Sequence, residues 1–299
     1  MARIPETLRR PLRRLWYAFF RRHPYYYLGA LLWATMTGDE KQRLQKAFDL
    51  VSKVPLRFRA RCLLYYLDTP YYAGYADSST LPEPNRLRWT GALASLTHRQ
   101  LLEHYSQKPD AFEREYGPTL LRAQEALREA SFDYVVELGC GNGLLIERLA
   151  ARETASGATF VGLDMDPETI AANQERYRGS RVQYHRCDTL QAFLGRVRPA
   201  SVLVLAHGTL QCFTEAELLS CLRGLVAAVP RGAVVAREIT YPDHQAELHS
   251  RPAGGFTFFH NYEHLFAQAG LNGFRAQAAE VRPNLKWAVV SAAWARRAQ

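Results

Sequence analysis

The stretch Tyr134-Val135-Val136-Glu137-Leu138-Gly139-Cys140-Gly141-Asn142-Gly143 constrains this chain more than any other. An apolar-leaning run meets an acidic residue, glycine then falls at alternate positions, and a helical pattern from Leu144 to Ala151 comes at once. That order predicts a buried strand, a tight turn and a helix start. Glycine allows positive φ in such a turn, and it lets the backbone approach a ligand with no Cβ between. Amides left open in the first turn of the helix favour an electron-rich ligand group.

Beyond the turn, the chain alternates strand and helix. Candidate strands are Tyr134–Leu138, Thr159–Asp164, Val182–Cys187, Ser201–His207 and Ala233–Ile239. The helices between them start on recognisable signals. Asp166-Pro167 sets an N-cap residue before a proline at the first helical position, and Thr214-Glu215-Ala216-Glu217 is a capping box. Such alternation predicts a parallel sheet with helices on both faces. At the end, Phe274–Val281 and Lys286–Trp294 are joined by Arg282-Pro283-Asn284-Leu285, a connection short enough to require an antiparallel pair. The expected fold class is therefore α/β, with a mostly parallel Rossmann-like sheet and an antiparallel last strand. Residues 105–299 form this domain, and residues 1–104 a basic, mostly helical N-terminal extension or cap.

Charge is concentrated in that extension. The chain carries a net +9, yet residues 1–62 hold 14 Lys or Arg against 4 Asp or Glu, a balance of +10, so the remainder balances at −1. An acidic partner should meet the N-terminal segment first. Residues 3–36 mix Arg pairs with aromatics, among them Arg9-Arg10, Trp16, Tyr17, Phe19, Phe20, Arg21-Arg22 and Tyr25 to Tyr27. Two readings stand: a peripheral membrane or anionic-partner face, or a helix whose aromatics pack on the domain or on a second copy while its Arg face is solvated. Helices are expected over Asp39–Val54 and Arg57–Leu67. Residues 68–90, with Pro70, Gly74, Pro82 and Pro84, read as a loop or lid, and Leu93–Gln107 and Asp110–Ala130 as further helices.

The five cysteines, Cys62, Cys140, Cys187, Cys212 and Cys221, show no CxxC pair and no metal-ligand spacing, which fits reduced thiols in a cytoplasmic protein without a metal site. No apolar run reaches membrane-spanning length, and Arg, His and Pro interrupt any secretory signal pattern.

A glycine-rich turn alone does not separate nucleotide-binding folds. Three further features narrow the choice. Glu137 ends the first strand just before the glycines, where it can accept from a cationic amine and would repel a pyrophosphate, which argues against a nicotinamide-dependent oxidoreductase. Asp164 ends the second strand, 21 positions after Gly143, where a carboxylate can take both ribose hydroxyls. Asp188, in Cys187-Asp188-Thr189, ends the third and can hold an adenine amino group. Glu137-x-Gly139-x-Gly141-x-Gly143, Asp164 and Asp188 together resemble the class I S-adenosylmethionine-dependent methyltransferase family, in its small-molecule branch. The resemblance spans about residues 105–299 and implies a seven-stranded sheet and S-adenosyl-L-methionine as cofactor. It implies that Gly139, Gly141 and Gly143 approach the methionine part and that Glu137 orients its amino group. Asp164 would bind ribose, Met165 would lie against adenine, and Asp188, with Thr189 beside it, would bind adenine N6. Tyr105 and Tyr116 are candidates for closing the cofactor pocket from an N-terminal helix.

The acceptor side should lie beyond the carboxyl ends of the strands. The fourth strand runs into His207-Gly208-Thr209, without the Asn/Asp-Pro-Pro-Tyr/Phe motif of DNA-base or protein-amide enzymes and without the Pro-Cys of cytosine enzymes. A small, apolar or aromatic organic acceptor is expected, of the kind met in natural product biosynthesis, methylated on oxygen, nitrogen or carbon. Nucleic acid is the less expected acceptor. If the acceptor must lose a proton, His207 and His260 are the candidate bases, with Glu238 and Tyr241 behind them. Two alternatives remain open on the sequence: an RNA or peptide methyltransferase docking through the Arg-rich segment, and a non-catalytic binding protein of the same fold.

Overall fold

The computed structural model describes residues 35, 37, 101–187, 189–240, 248–254, 257–282 and 285–295. The expectations for residues 1–36, for the helices at 39–67 and for the loop at 68–90 fall outside them, apart from the isolated residue 35, which is helical. Asp188 and Tyr241 also fall outside the described residues.

Residues 101–107 are helical and lead into α1 (Pro109–Glu129). There follow β1 (Tyr134–Leu138), α2 (Leu144–Arg152), β2 (Thr159–Asp164), α3 (Pro167–Arg176), β3 (Val182–Arg186), α4 (Leu190–Val197) and β4 (Ser201–His207). A 3-10 turn (Leu210–Cys212), α5 (Glu215–Ala228), β5 (Arg231–Thr240), β6 (Arg251–Gly254), β7 (Thr257–Phe259), α6 (Tyr262–Gln268), β8 (Asn272–Arg282) and β9 (Leu285–Ala295) complete the order. Seven strands make one sheet in the order β3-β2-β1-β4-β5-β9-β8, and β6 and β7 form a separate two-stranded ribbon. The β1–β5 pairings are parallel, and β9 runs antiparallel to both β5 and β8. The sheet is as the sequence predicts. The ribbon is an addition, hidden in the sequence because Pro252, Gly254 and Gly255 read as breakers.

Alternate side chains of the parallel strands feed two cores, as a sheet covered on both faces requires. Val136, Val161, Val202, Val204, Val234 and Val290 meet α4, α5 and α6 on one face. Val135, Phe160, Leu203, Leu205, Val235 and Val289 meet α1, α2 and α3 on the other. The helix starts obey local chemistry. Asp166 accepts from Thr169 N at the head of α3, Thr189 Oγ1 from Ala192 N at the head of α4, and Thr214 and Glu217 form the expected capping box on α5. Strand order reverses between β1 and β4, so the carboxyl ends of these two strands open the crevice where open α/β sheets bind ligands. Among the described residues no helix is long and apolar enough to cross a membrane.

Leu203, wholly buried in β4, tests this two-faced core. Leu203→Ala should lower unfolding free energy by about 2–5 kcal/mol in urea melts, and Leu121→Ala, on the exposed side of α1, by less than about 0.5 kcal/mol.

Candidate functional site

The turn after β1 has the backbone the glycine spacing anticipates. Gly139, Gly141 and Gly143 have φ of 67°, 49° and 76°, a region that disfavours any side chain with a Cβ. Close packing adds a second constraint. A Cβ on Gly139 would come within 2.6 Å of Thr209 Oγ1, and one on Gly143 within 2.5 Å of Tyr184 Oη. The turn is thus pressed against the segment that leaves β4.

Acidic side chains tie the turn in place. Glu137, fully buried, accepts from Ile146 N (3.1 Å) in the first turn of α2, and Asn142 Oδ1 accepts from Leu144 N (3.1 Å). These first-turn amides are taken by the protein itself, which corrects the expectation that they stand open. Asp164 Oδ2 accepts from Gly141 N and Oδ1 from Asp166 N, both at 3.0 Å. Burial and the nearby Asp164 charge push the Glu137 carboxyl well above the usual range, against the single amide that favours its charged form. The same two carboxylates, after burial itself, push the Cys140 thiol upward. Met165 comes directly after Asp164 and is 39% exposed at the crevice side of the strand ends, and Thr189 caps α4.

A second cluster forms at the end of β4. His207 stacks on Tyr116 of α1, ring centroids 4.0 Å apart and 14° between planes. Phe112 stacks on Tyr116 in turn (4.8 Å), and Tyr105 meets Tyr116 edge-on (5.3 Å). Burial, then the charges of Tyr105, Glu137 and Glu115, push the Tyr116 hydroxyl well above its ordinary range. His207 Nε2 is 3.7 Å from Glu115 Oε1 and 3.5 Å from Arg237 Nη1, and Arg237 Nη1 is 3.8 Å from the same Glu115 oxygen. Arg237, 3% exposed, lies over the Trp287 ring at 4.4 Å. Burial lowers the His207 pKa below its ordinary value, aided by Arg237 and opposed by Glu115. His207 holds Glu115 down at about 2, with Tyr105 and Arg237 helping, so Glu115 is a carboxylate at any physiological pH.

His260 and Glu238 stand elsewhere. Glu238, wholly buried, accepts from Thr209 N (3.0 Å), Leu210 N (2.9 Å) and Gln211 N (3.1 Å), pinning the start of the 3-10 turn. Burial raises it to about 7 against these amides and Arg237. His260 pairs through Nδ1 with Ser250 Oγ (2.6 Å) and packs against Phe258 and Tyr262; burial lowers it to about 4. The aromatic neighbours of the two histidines belong to opposite faces of the sheet, Tyr116 with α1 and α2 and Tyr262 with α5 and α6. Among the described residues no group of three or more His, Cys, Asp or Glu is placed to hold a metal ion.

Sequence reading alone left Glu115, Arg237 and Trp287 out of the site. The available signal was Arg237, a charge inside the strand run Ala233-Val234-Val235-Ala236-Arg237. Trp287 reaches Arg237 because β9 pairs with β5 in the register Ile239↔Trp287.

Comparison with known proteins agrees with this geometry. Residues 135–232 match the family described as a methyltransferase domain. The matched residues run from β1 into β5 and include the glycine turn, so this part of the chain is similar to a methyltransferase domain. A carboxy-S-adenosyl-L-methionine synthase of Chromohalobacter salexigens is 31% identical over 148 residues, which cover 46% of this chain and 53% of that protein. The chain thus spans about half the length of the curated relative it matches. Among solved structures, a putative O-methyltransferase of Nostoc punctiforme superposes with a TM-score of 0.48 at 17% identity over 78% of this chain and 71% of that one. A 1,6-didemethyltoxoflavin-N1-methyltransferase of Burkholderia thailandensis, solved with S-adenosylhomocysteine, gives 0.44 at 18% identity over 73% and 93%. LepI bound to S-adenosylmethionine gives 0.42 at 17% identity over 57% and 46%.

The pH behaviour of Glu238 is testable. Its folded pKa lies above its ordinary 4.5, at about 7. The stability linked to it is therefore fully present below pH 4.5 and is lost as pH rises through about 7. Glu238→Gln should flatten that part of the stability curve, measured as the difference between wild-type and variant urea midpoints across the span from the ordinary value of 4.5 to just above 7.

Proposed function

We propose that the chain transfers a methyl group from S-adenosyl-L-methionine to a small organic acceptor. The observation that carries this reading is Glu137, a fully buried carboxylate with one amide partner and a second carboxylate, Asp164, close enough to raise its pKa. A cation beside this turn would favour the charged form of Glu137. An amino-acid ammonium and a sulfonium provide it, whereas a dinucleotide pyrophosphate would be repelled. The left-handed glycines let the turn pack closely against Thr209 and Tyr184. Bound there, S-adenosylmethionine supplies an electrophilic methyl on sulfur and departs as a neutral thioether.

The chain's own residues divide the remaining tasks. Glu137 takes the ammonium, Asp164 the ribose hydroxyls with Met165 beside the adenine, and Asp188 and Thr189 serve the adenine edge. Tyr116, stacked on His207 and within the field of Glu137, separates cofactor from acceptor, and Tyr105 backs it. Positioning an acceptor beside the methyl and excluding water supply much of the acceleration in such transfers. The stacked rings of Phe112 and Tyr116, and Trp287 under Arg237, suit a flat apolar acceptor. In this arrangement His207 faces the acceptor. Glu238 and His260 support the 209–213 segment, and Tyr241, next after β5 along the chain, is a further candidate on the acceptor side.

Calorimetry with S-adenosylmethionine and with its demethylated product tests the reading. Both should bind, and Asp164→Asn, which keeps the side chain's shape, should weaken binding by at least about 10-fold, the cost of losing a charged hydrogen-bond partner. Absence of binding by the wild-type protein would sink the proposal. Mass spectrometry of turnover mixtures distinguishes a methylated acceptor from a modified cofactor, the kind of product the name of the C. salexigens relative indicates.

A further inference from the structure

The glycine turn has a second form open to it, and side chains of α3 select between the two. Gly143 N donates to Cys140 O at 2.8 Å, so residues 140–143 close a β-turn with Gly141 and Asn142 at its centre. Gly141 has φ of 49°, whereas Asn142 lies outside the left-handed region, Arg198 being the one non-glycine with positive φ among the described residues. Such a turn is one of a pair. Rotating the central peptide, between Gly141 and Asn142, leaves the turn's ends in place and gives the other form, with Asn142 at positive φ. Asparagine enters that region more readily than most residues, so local sterics do not forbid the exchange. Asn173 does. Its buried side chain donates from Nδ2 to Gly141 O at 2.6 Å. A trans peptide sets its C=O and N–H on opposite sides, so after rotation Asn142 N–H would face the same Nδ2 donor. Turning the Asn173 amide over is opposed as well, because Arg176 Nη1 donates to its Oδ1 at 3.2 Å. The next peptide is held too. Tyr177, at the C-cap of α3 and one helical turn beyond Asn173, donates from Oη to Asn142 O at 3.0 Å.

We propose that Asn173 and Tyr177 are positioning residues that lock the glycine turn into one of its two forms before the cofactor arrives. The proposal rests on the methyl-transfer reading above, in which this turn meets the methionine part of the cofactor. With Gly141 O drawn toward α3, Asn142 N–H is directed away from α3; in the other form a carbonyl would point there. The lock thus decides whether the central peptide offers a donor or an acceptor on that side, and it settles on a donor. Of the two charged groups of an amino-acid ligand, the carboxylate suits a donor and the ammonium an acceptor. A turn fixed in advance also spares the ligand the cost of ordering it. Gln174, between the two residues on α3, provides a contrast. Its Nε2 donates to Tyr184 O of β3 at 2.9 Å, a bond from helix to sheet that does not hold the turn's backbone.

Nitrogen relaxation dispersion on the labelled full chain, without cofactor, reads the turn directly. In the wild type the Asn142 and Gly143 amides should show no millisecond exchange. In Asn173→Leu, which keeps the bulk and removes the donor, both should show it, and calorimetry should find S-adenosylmethionine bound about 3- to 10-fold more weakly, the worth of one hydrogen bond. Tyr177→Phe removes a single hydroxyl. It should bring exchange to Gly143 and weaken binding in the same direction, and it carries the test if Asn173→Leu does not fold. Gln174→Leu should lower the urea midpoint yet leave both amides and the affinity as in the wild type. Flat dispersion in the folded Asn173 and Tyr177 variants, or exchange of the same size in Gln174→Leu, would overturn the proposal, as would unchanged affinity in a variant whose turn exchanges. The dispersion readings need no cofactor, so failure of the wild type to bind S-adenosylmethionine would overturn the methyl-transfer reading separately.

Discussion

Parallel strands deliver all their carboxyl ends to one edge, and the loops leaving that edge carry backbone amides that need acceptors. In this domain acidic side chains beside or at the strands meet that need. Glu137 holds Ile146, Asp164 holds Gly141 and Asp166, and Glu238 holds Thr209, Leu210 and Gln211. Asp133 does the same at the opposite edge, accepting from Ala200 and Ser201. The site depends on this arrangement. Because Glu238 fixes the segment after β4, Thr209 can press on Gly139, and only a glycine turn fits beneath it.

Concentrating carboxylates at one edge has an electrostatic consequence. Burial, and after it the charge of Asp164, raise the cost of ionising Glu137. Around His207 the balance differs. Glu115 and Arg237 set opposite charges beside His207, whose pKa burial lowers. The stack from Phe112 through Tyr116 to His207 joins α1 to the end of β4.

Much of this edge was legible in the chain. The β1 strand and its glycines, Asp164 at the end of β2 and the capping box of α5 are local patterns, and local patterns survive into the fold because steric and hydrogen-bonding preferences act over a few residues. The ribbon of β6 and β7 was not legible, since Pro252 and Gly254 are breakers by local rules, and the ribbon forms where β7 packs against the 3-10 turn after β4. Nor was the division of labour among the acidic groups. Glu238 and Glu137 look alike in sequence, each an acid in an apolar strand, yet one spends its lone pairs on three amides and the other on one.

By itself, then, the sequence determined the order of strands and helices, the left-handed turn and the acidic residues along the ligand edge, because each is written in residues adjacent along the chain. Tertiary structure alone decided that Glu115 from α1, His207 from β4, Arg237 from β5 and Trp287 from β9 meet at one point. Those residues are far apart in sequence. Their meeting depends on α1 crossing the sheet over β4 and β5 and on the antiparallel register of β9, both set by burial of apolar faces that no single segment specifies.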